Sequence, residues 1–298
     1  MLNGIIIIHK EAGFTSNDVV AKMRGICRQK KIGHTGTLDP QATGVLPVCL
    51  GSGTKLCDML TDKDKEYVAE LLLGTETDTQ DTTGQVLRES PVEVSEEEVR
   101  QAIMSFCGVY HQIPPMYSAL KVDGKKLYEL ARAGKEVERK AREVFLHEIE
   151  ILEMELPVVK LRVTCSKGTY IRTLCADIGA KLGCGGTMKS LQRTRVGSFG
   201  IEKAVTLDQL EALRDEGRLE QLLFPVDSAF AGCPKLHVRR EFGKLVDNGN
   251  AFYPNQTMER TVCREGEWVS VYRENNSFVG VYTYDNGRKW YKPVKMFL

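Results

Sequence analysis

Residues 30–53 carry five glycines and two prolines: Gly33, Gly36, Pro40, Gly44, Pro47, Gly51 and Gly53. Such a density of breakers excludes a helix. Proline removes an amide donor and clashes with the preceding turn, and glycine adds backbone freedom that a helix must surrender. The stretch reads as mostly loop with short strands. It also holds Asp39 between Leu38 and Pro40. Pro40 biases Asp39 away from helical geometry toward an extended one, and the glycines let the backbone approach a ligand closely. A carboxylate held this way suits a nucleophile or a general base. Asp-Pro is equally a common turn, so the dipeptide alone leaves both readings open.

Regular elements are legible on either side. Residues 4–9 are rich in β-branched side chains and read as a strand. Ser16 stands where a helix N-cap is expected, ahead of Val19, Val20, Met23, Ile26 and Cys27 at helical spacing. Residues 67–73 read as a strand, and Ser95 with Glu98 is a capping box opening a helix to about Cys107. Residues 125–133 read as a short basic helix stopped by Gly134. Residues 144–151 and 159–165 alternate with period two, as half-buried strands do. Residues 169–182 form an amphipathic helical pattern ended by Gly183, and Thr206 with Gln209 is a second capping-box signal. Past Pro234 the texture changes to short β-type runs at 268–273, 278–284 and 289–296, parted by Asn-Asn and Asn-Gly turns. The expected division is therefore 1–234 and a small β-rich domain at 235–298.

Bulk properties narrow the class. At 298 residues there is ample chain for a real core. The apolar run Ile5-Ile6-Ile7-Ile8 is far too short to span a bilayer. The N-terminus lacks the basic stretch and cleavage site of a signal peptide, so a cytoplasmic location is expected. Nine cysteines, an odd number with no C-x-x-C pair, argue against a disulfide framework or a zinc ribbon. Cys107, Cys165 and Cys175 sit among apolar residues and read as small core residues. His9, His111, His147 and His237 show no metal-ligand spacing. The run Gly51-Ser52-Gly53-Thr54-Lys55 lacks the spacing of a phosphate loop.

The net charge of +1 hides a segregation. Residues 62–100 hold twelve acidic and four basic side chains, residues 160–203 two and nine, and residues 121–142 four and eight. One basic face offered to a polyanion fits this pattern, and so do ordinary solvated surfaces of either sign.

Longer strings decide between the readings of Asp39. Residues 33–47, Gly-His-Thr-Gly-Thr-Leu-Asp-Pro-Gln-Ala-Thr-Gly-Val-Leu-Pro, resemble the catalytic motif of the T-loop-modifying, TruB family of pseudouridine synthases. Asp64-Lys65-Glu66-Tyr67 resembles that family's second motif, Ser166-Lys167-Gly168-Thr169-Tyr170-Ile171-Arg172-Thr173-Leu174 its third, and Leu191-Gln192-Arg193-Thr194-Arg195 its fourth. Pro115-Met116-Tyr117-Ser118-Ala119-Leu120-Lys121 and Gly183-Cys184-Gly185-Gly186 add to the match. The segments run in family order across 3–210, which chance does not produce.

The resemblance implies a chemistry and a cast. Pseudouridine formation breaks the glycosidic bond of uridine and rejoins the ring through carbon, with no redox change and no phosphoryl transfer. One positioned carboxylate suffices, and neither metal nor cofactor is expected. A folded RNA hides its bases, so the target uridine must be flipped out. By resemblance Asp39 is the nucleophile, and Arg172 pairs with its carboxylate and holds it ionised. Tyr67 stacks on the flipped base and is a candidate proton acceptor, Tyr170 and Leu191 line the uracil pocket, and His34 fills the space the base leaves. Taken alone, Tyr67 is an ordinary strand aromatic, Arg172 a surface charge and Leu191 core. The basic segment 121–142 resembles a thumb that closes on RNA, bracketed by Gly124 and Gly134. Lys55, Lys121, Lys125, Lys126 and Arg132 are the expected backbone-phosphate contacts.

The implied fold is α+β: the pseudouridine synthase fold, a mixed and mostly antiparallel sheet flanked by helices, with a small C-terminal β-rich domain similar to a PUA domain. The implied substrate is the T arm of tRNA at the uridine of position fifty-five, and the implied state a monomer. A non-catalytic RNA chaperone keeping the old motifs is one rival reading, and a guide-RNA-dependent pseudouridine synthase is another. The presence together of Asp39, Tyr67, Tyr170 and Arg172 argues against the first, and the basic insertion against the second. The chain departs from the family pattern at Glu11, where proline often follows Lys10, and at Gln192, where arginine is usual.

Overall fold

The computed structural model describes residues 1–298 apart from Asp123, with Lys121 described by its backbone alone. Strand β1 (Gly4–Lys10) grows from the isoleucine run and precedes helix α1 (Ser16–Ile26). Strands β2 (Ile32–His34) and β3 (Thr43–Leu50), short helix α2 (Cys57–Thr61) and strand β4 (Lys65–Leu73) follow. A hairpin of β5 (Thr75–Thr77) and β6 (Val86–Glu89) leads to α3 (Glu96–Met104) and β7 (Gly108–Gln112). A second hairpin, β8 (Lys121–Val122) with β9 (Lys125–Lys126), leads into α4 (Leu127–Arg132). Then come β10 (Arg142–Glu155), β11 (Val158–Cys165), α5 (Ile171–Leu182), β12 (Gly186–Val196), β13 (Phe199–Gly200) and α6 (Leu207–Asp215). The C-terminal part holds β14 (Lys235–Val238), α7 (Gly243–Asp247), β15 (Trp268–Arg273), β16 (Phe278–Asp285) and β17 (Trp290–Met296).

The large sheet runs β1-β3-β12-β4-β11-β10-β7, with β2 on β3 and β13 on β12. Its pairs are antiparallel except β3 with β12, which lie parallel with Gln192 opposite Thr43 and Arg193 opposite Gly44. This is the mixed, mostly antiparallel sheet expected. A four-stranded sheet, β14-β15-β16-β17, forms the small C-terminal β unit.

Strand alternation decides what each face covers. Ile6, Ile8, Leu46 and Val48 point toward α1 and α6, where Val19, Met23 and Leu210 meet them. Ile5, Ile7, Val45 and Cys49 point the other way, into a cluster that takes in Phe230, Val281 and Phe297. The C-terminal sheet is thus fastened to the back of β1 and β3 by shared apolar burial. In the other half of the sheet, Ala69, Leu71, Leu161 and Val163 bury against α3 and α5 through Val99, Ile103, Leu174 and Ile178. The alternate residues of β4 and β11 stay half-exposed.

Several sequence expectations are corrected here. The cap of α1 is Thr15, in a capping box with Asp18; Ser16 is buried instead, and its hydroxyl accepts the Leu38 amide at 2.9 Å. The breaker-rich stretch contains a buried eight-residue strand, β3, because the register with β1 absorbs Pro47 and Gly44 into the sheet. Cys107 is exposed, whereas Cys165 and Cys175 are core as expected. Helix α5 starts at Ile171, two residues late, because Gln112 Oε1 accepts the Tyr170 amide and holds that residue extended. The Ser95 and Thr206 capping boxes form as read, and Gly183 ends α5 at φ 77°, a left-handed value that glycine adopts without strain.

Candidate active site

Asp39 sits in the loop between β2 and β3, and the loop is held from several sides. Its own carbonyl accepts the Ala42 amide at 3.1 Å, and the Pro40 carbonyl accepts from Gly13 N and from Lys10 Nζ, both at 2.9 Å. Lys10 is fully buried and also donates to the carbonyls of Glu11 and Phe14. Leu38 and Ala42 anchor the loop by entering the core. Immediately downstream, Gly44 lies against β12 with φ 101°, and a Cβ there would stand 2.2 Å from the Arg193 carbonyl oxygen. Only glycine fits that crossing.

Arg172, in the first turn of α5, reaches Asp39 through Nε, 3.0 Å from Oδ2. The arginine side chain is 6% exposed and the aspartate side chain 42%, so the pair is buried on the arginine side and partly open on the other. Two further nitrogens donate to carbonyls, Nη1 to Thr79 at 3.0 Å and Nη2 to Tyr117 at 2.8 Å. Nη1 also lies 3.7 Å from Asp81 Oδ2. The contact with Asp39 is therefore single rather than a two-pronged fork, and the guanidinium is fixed by its other partners. Enclosure pushes the Asp39 carboxyl above its ordinary pKa; Arg172 opposes the rise, Asp81 adds to it and Lys10 opposes it.

Tyr67 lies on the core-facing side of β4, buried, with Arg193 opposite it on β12 and Leu191 two residues before that arginine. Leu191 is half-buried against the same cluster, and Tyr170 is half-buried at the entrance to α5. The Tyr67 phenol is pushed up by burial, with Arg193 pulling it down. His34 accepts the Gly36 amide on Nδ1 at 3.3 Å, so its proton belongs on Nε2. Burial and the nearby Arg193 depress its pKa, which keeps the ring neutral. Asp39, Arg172, Tyr67, Tyr170, Leu191 and His34, separated by up to 157 residues of chain, thus gather where the loop, β4, β12 and α5 converge. The arrangement offers one carboxylate oriented by Arg172. Among the described residues no three His, Cys, Asp or Glu side chains come together as metal ligands.

The chain matches the N-terminal domain model of the TruB family pseudouridylate synthases over residues 24–171, and a tRNA pseudouridylate synthase B C-terminal domain model over 172–231. It is 52% identical to the tRNA pseudouridine synthase B of Lachnoclostridium phytofermentans, across the whole of both chains. It is 47% identical to that of Alkaliphilus oremlandii, over 99% of this chain and 98% of the other. The chain belongs to the TruB family of pseudouridine synthases. Such enzymes are isomerases, and so is this one. A TruB-like fold also appears in a solved Cbf5-Nop10-Gar1 complex, with TM-score 0.76, 27% identity, and coverage of 99% of this chain and 85% of that one.

Within this TruB-family site the sequence reading had missed several residues. Asp81, the second anion beside Arg172, accepts the Thr83 amide at 3.0 Å and lies in a segment that reads only as acidic surface. Gln112 is buried, and besides accepting the Tyr170 amide it donates to the Tyr170 carbonyl at 2.9 Å, which fixes the start of α5 and so Arg172. Lys10 was visible only as part of a departure; since only the carbonyl of residue 11 is used, Glu11 leaves that contact intact. Gln192 forms no side-chain hydrogen bond among the described residues.

The expected phosphate contacts divide. Lys125, Lys126 and Arg132 sit together on the second hairpin and α4, with Lys126 and Arg132 stacked near Tyr128. Lys55 stands apart, its ammonium donating to the main-chain oxygens of Met296 and Leu298. The side chain of Lys121 falls outside the described residues. Among the described residues no helix is long and apolar enough to cross a membrane.

Proposed function

We propose that this enzyme isomerises uridine to pseudouridine at position 55 in the T loop of tRNA, acting as a cytoplasmic monomer without metal or cofactor. The observation that carries the reading is the Arg172–Asp39 pair: a partly exposed carboxylate 3.0 Å from a buried guanidinium. Asp39 acts as nucleophile on a uridine flipped out of the RNA, because a stacked base offers no line of approach. Arg172 keeps the carboxylate ionised against the enclosure that favours its neutral form. Tyr67 stacks on the flipped base, Tyr170 and Leu191 line the uracil pocket, and His34 occupies the place the base leaves. Residues 1–234 carry this chemistry, with 121–142 as a thumb closing on the RNA, and 235–298 add a PUA-like RNA-binding unit.

The curated relatives at 47–52% identity are named for tRNA and align over the full chain, which supports a stand-alone tRNA enzyme. A neighbour at 25% identity comes from an H/ACA RNP structure bound to a substrate RNA, and that motivates a guide-dependent second reading. The two are separated by incubating the purified protein alone, with chelator, on unmodified tRNA and mapping the product by carbodiimide modification. Conversion of the single T-loop uridine is expected. No product from any tRNA, or product only with added guide RNA or metal, contradicts the proposal.

A further inference from the structure

Behind Tyr67 stands a second arginine that no role above uses. Arg193 is 2% exposed, among the largest fully buried side chains of the molecule. Its Nε donates to the Val45 carbonyl at 2.7 Å and its Nη2 to the Gly36 carbonyl at 3.3 Å. It makes no ion pair with a carboxylate among the described residues; Asp39 has Arg172 for its partner. Arg193 stands directly opposite Tyr67 across the β4–β12 pair, both side chains buried, and its charge pulls the Tyr67 phenol down. An internal cation without a counter-ion is costly to bury. Two carbonyls do not need a full charge to satisfy them, whereas an oxygen on which charge develops does.

Resting on the isomerase reading above, we propose that Arg193 is a positioning residue that fixes the Tyr67 hydroxyl and couples it to the Asp39 loop. A guanidinium has donors only, so in this arrangement the Tyr67 oxygen accepts from it and the phenolic proton is left for another partner. The Gly36 bond carries the same constraint into the loop that holds Asp39, three residues on. Tyr67 then feels both the Arg193 cation and the Asp39 carboxylate, in a site where burial raises the cost of any negative charge on its oxygen. Arg193 offsets that cost at the one atom where it arises.

A double-mutant cycle tests this. Arg193→Gln, Tyr67→Phe and the double variant are compared in single-turnover release of tritium from tRNA carrying 5-tritiated uridine. Each single change is expected to slow the reaction about 100-fold, and the double variant to be no slower than the slower single, because both remove one interaction. RNA affinity, read by filter binding, stays unchanged. Penalties that multiply to about 10,000-fold in the double variant, or a wild-type rate for Arg193→Gln, overturn the proposal. If Arg193→Gln does not fold, Arg193→Lys keeps an internal cation and goes through the same cycle; failure of both to fold makes the residue structural and overturns it too. Wild-type protein that releases no tritium from any tRNA instead sinks the isomerase reading itself, a result distinct from active enzyme with multiplying penalties.

Discussion

Arg172 meets Asp39 through a single nitrogen, Nε at 3.0 Å from Oδ2, while Thr79, Tyr117 and Asp81 hold the rest of its guanidinium. The arginine is thus oriented independently of the carboxylate it serves. A side chain locked by other partners can impose direction on a neighbour at little entropic cost, and preorganisation of this kind lowers a barrier more than it strengthens binding.

The pair should govern the acid limb of the pH–rate profile. On the proposed mechanism turnover needs the ionised carboxylate, so the rate should fall as pH drops through the Asp39 pKa, which enclosure has raised. Arg172 opposes that rise and Asp81 adds to it. Arg172→Gln should therefore move the acid limb to higher pH and slow the reaction about 100-fold. Asp81→Asn should move the limb to lower pH. Single-turnover rates across pH check both, and shifts in one common direction would contradict the electrostatic account.

Gly44→Ala should cost stability at least as much as activity. The added Cβ would stand 2.2 Å from the Arg193 carbonyl oxygen, at a φ of 101° that alanine avoids. Backbone on both sides leaves no flexible group to yield. A loss of at least about 2 kcal/mol is expected, read by chemical denaturation; wild-type stability would mean that β3 and β12 part easily.

These residues show what the sequence could and could not convey. The caps at Ser95 and Thr206 and the strand 268–273 were legible because each is set by neighbours within a few residues, and the family was legible because its strings are contiguous in the chain. Strand β3 was not, since Gly44 and Pro47 argue against a strand until the backbone of β12 and the register with β1 are known. Asp81 and Gln112 were missed for the same reason: their partners, Arg172 and Tyr170, lie 91 and 58 residues away. Ser16 lost the cap to Thr15 because its hydroxyl is needed by Leu38. Local pattern cannot reveal a long-range partner.

The proposed thumb should act through charge. Replacing Lys125 and Arg132 by glutamine should weaken tRNA binding, and the slope of log affinity against log salt should shrink by about 0.7 to 0.9 for each phosphate the protein no longer neutralises. The single-turnover rate at saturating RNA should stay near wild type. Filter binding across salt concentrations checks the slope, and an unchanged slope would remove these side chains from the RNA interface.

The central claim is that Asp39 is the reacting carboxylate. Asp39→Asn is nearly isosteric and leaves Arg172 its bonds to Thr79, Tyr117 and Asp81, so the variant should fold and bind tRNA. The most direct measurement is single-turnover tritium release by this variant, with enzyme in excess over tRNA carrying 5-tritiated uridine. The account predicts no release above background while tRNA affinity is kept. Release at a substantial fraction of the wild-type rate would contradict it.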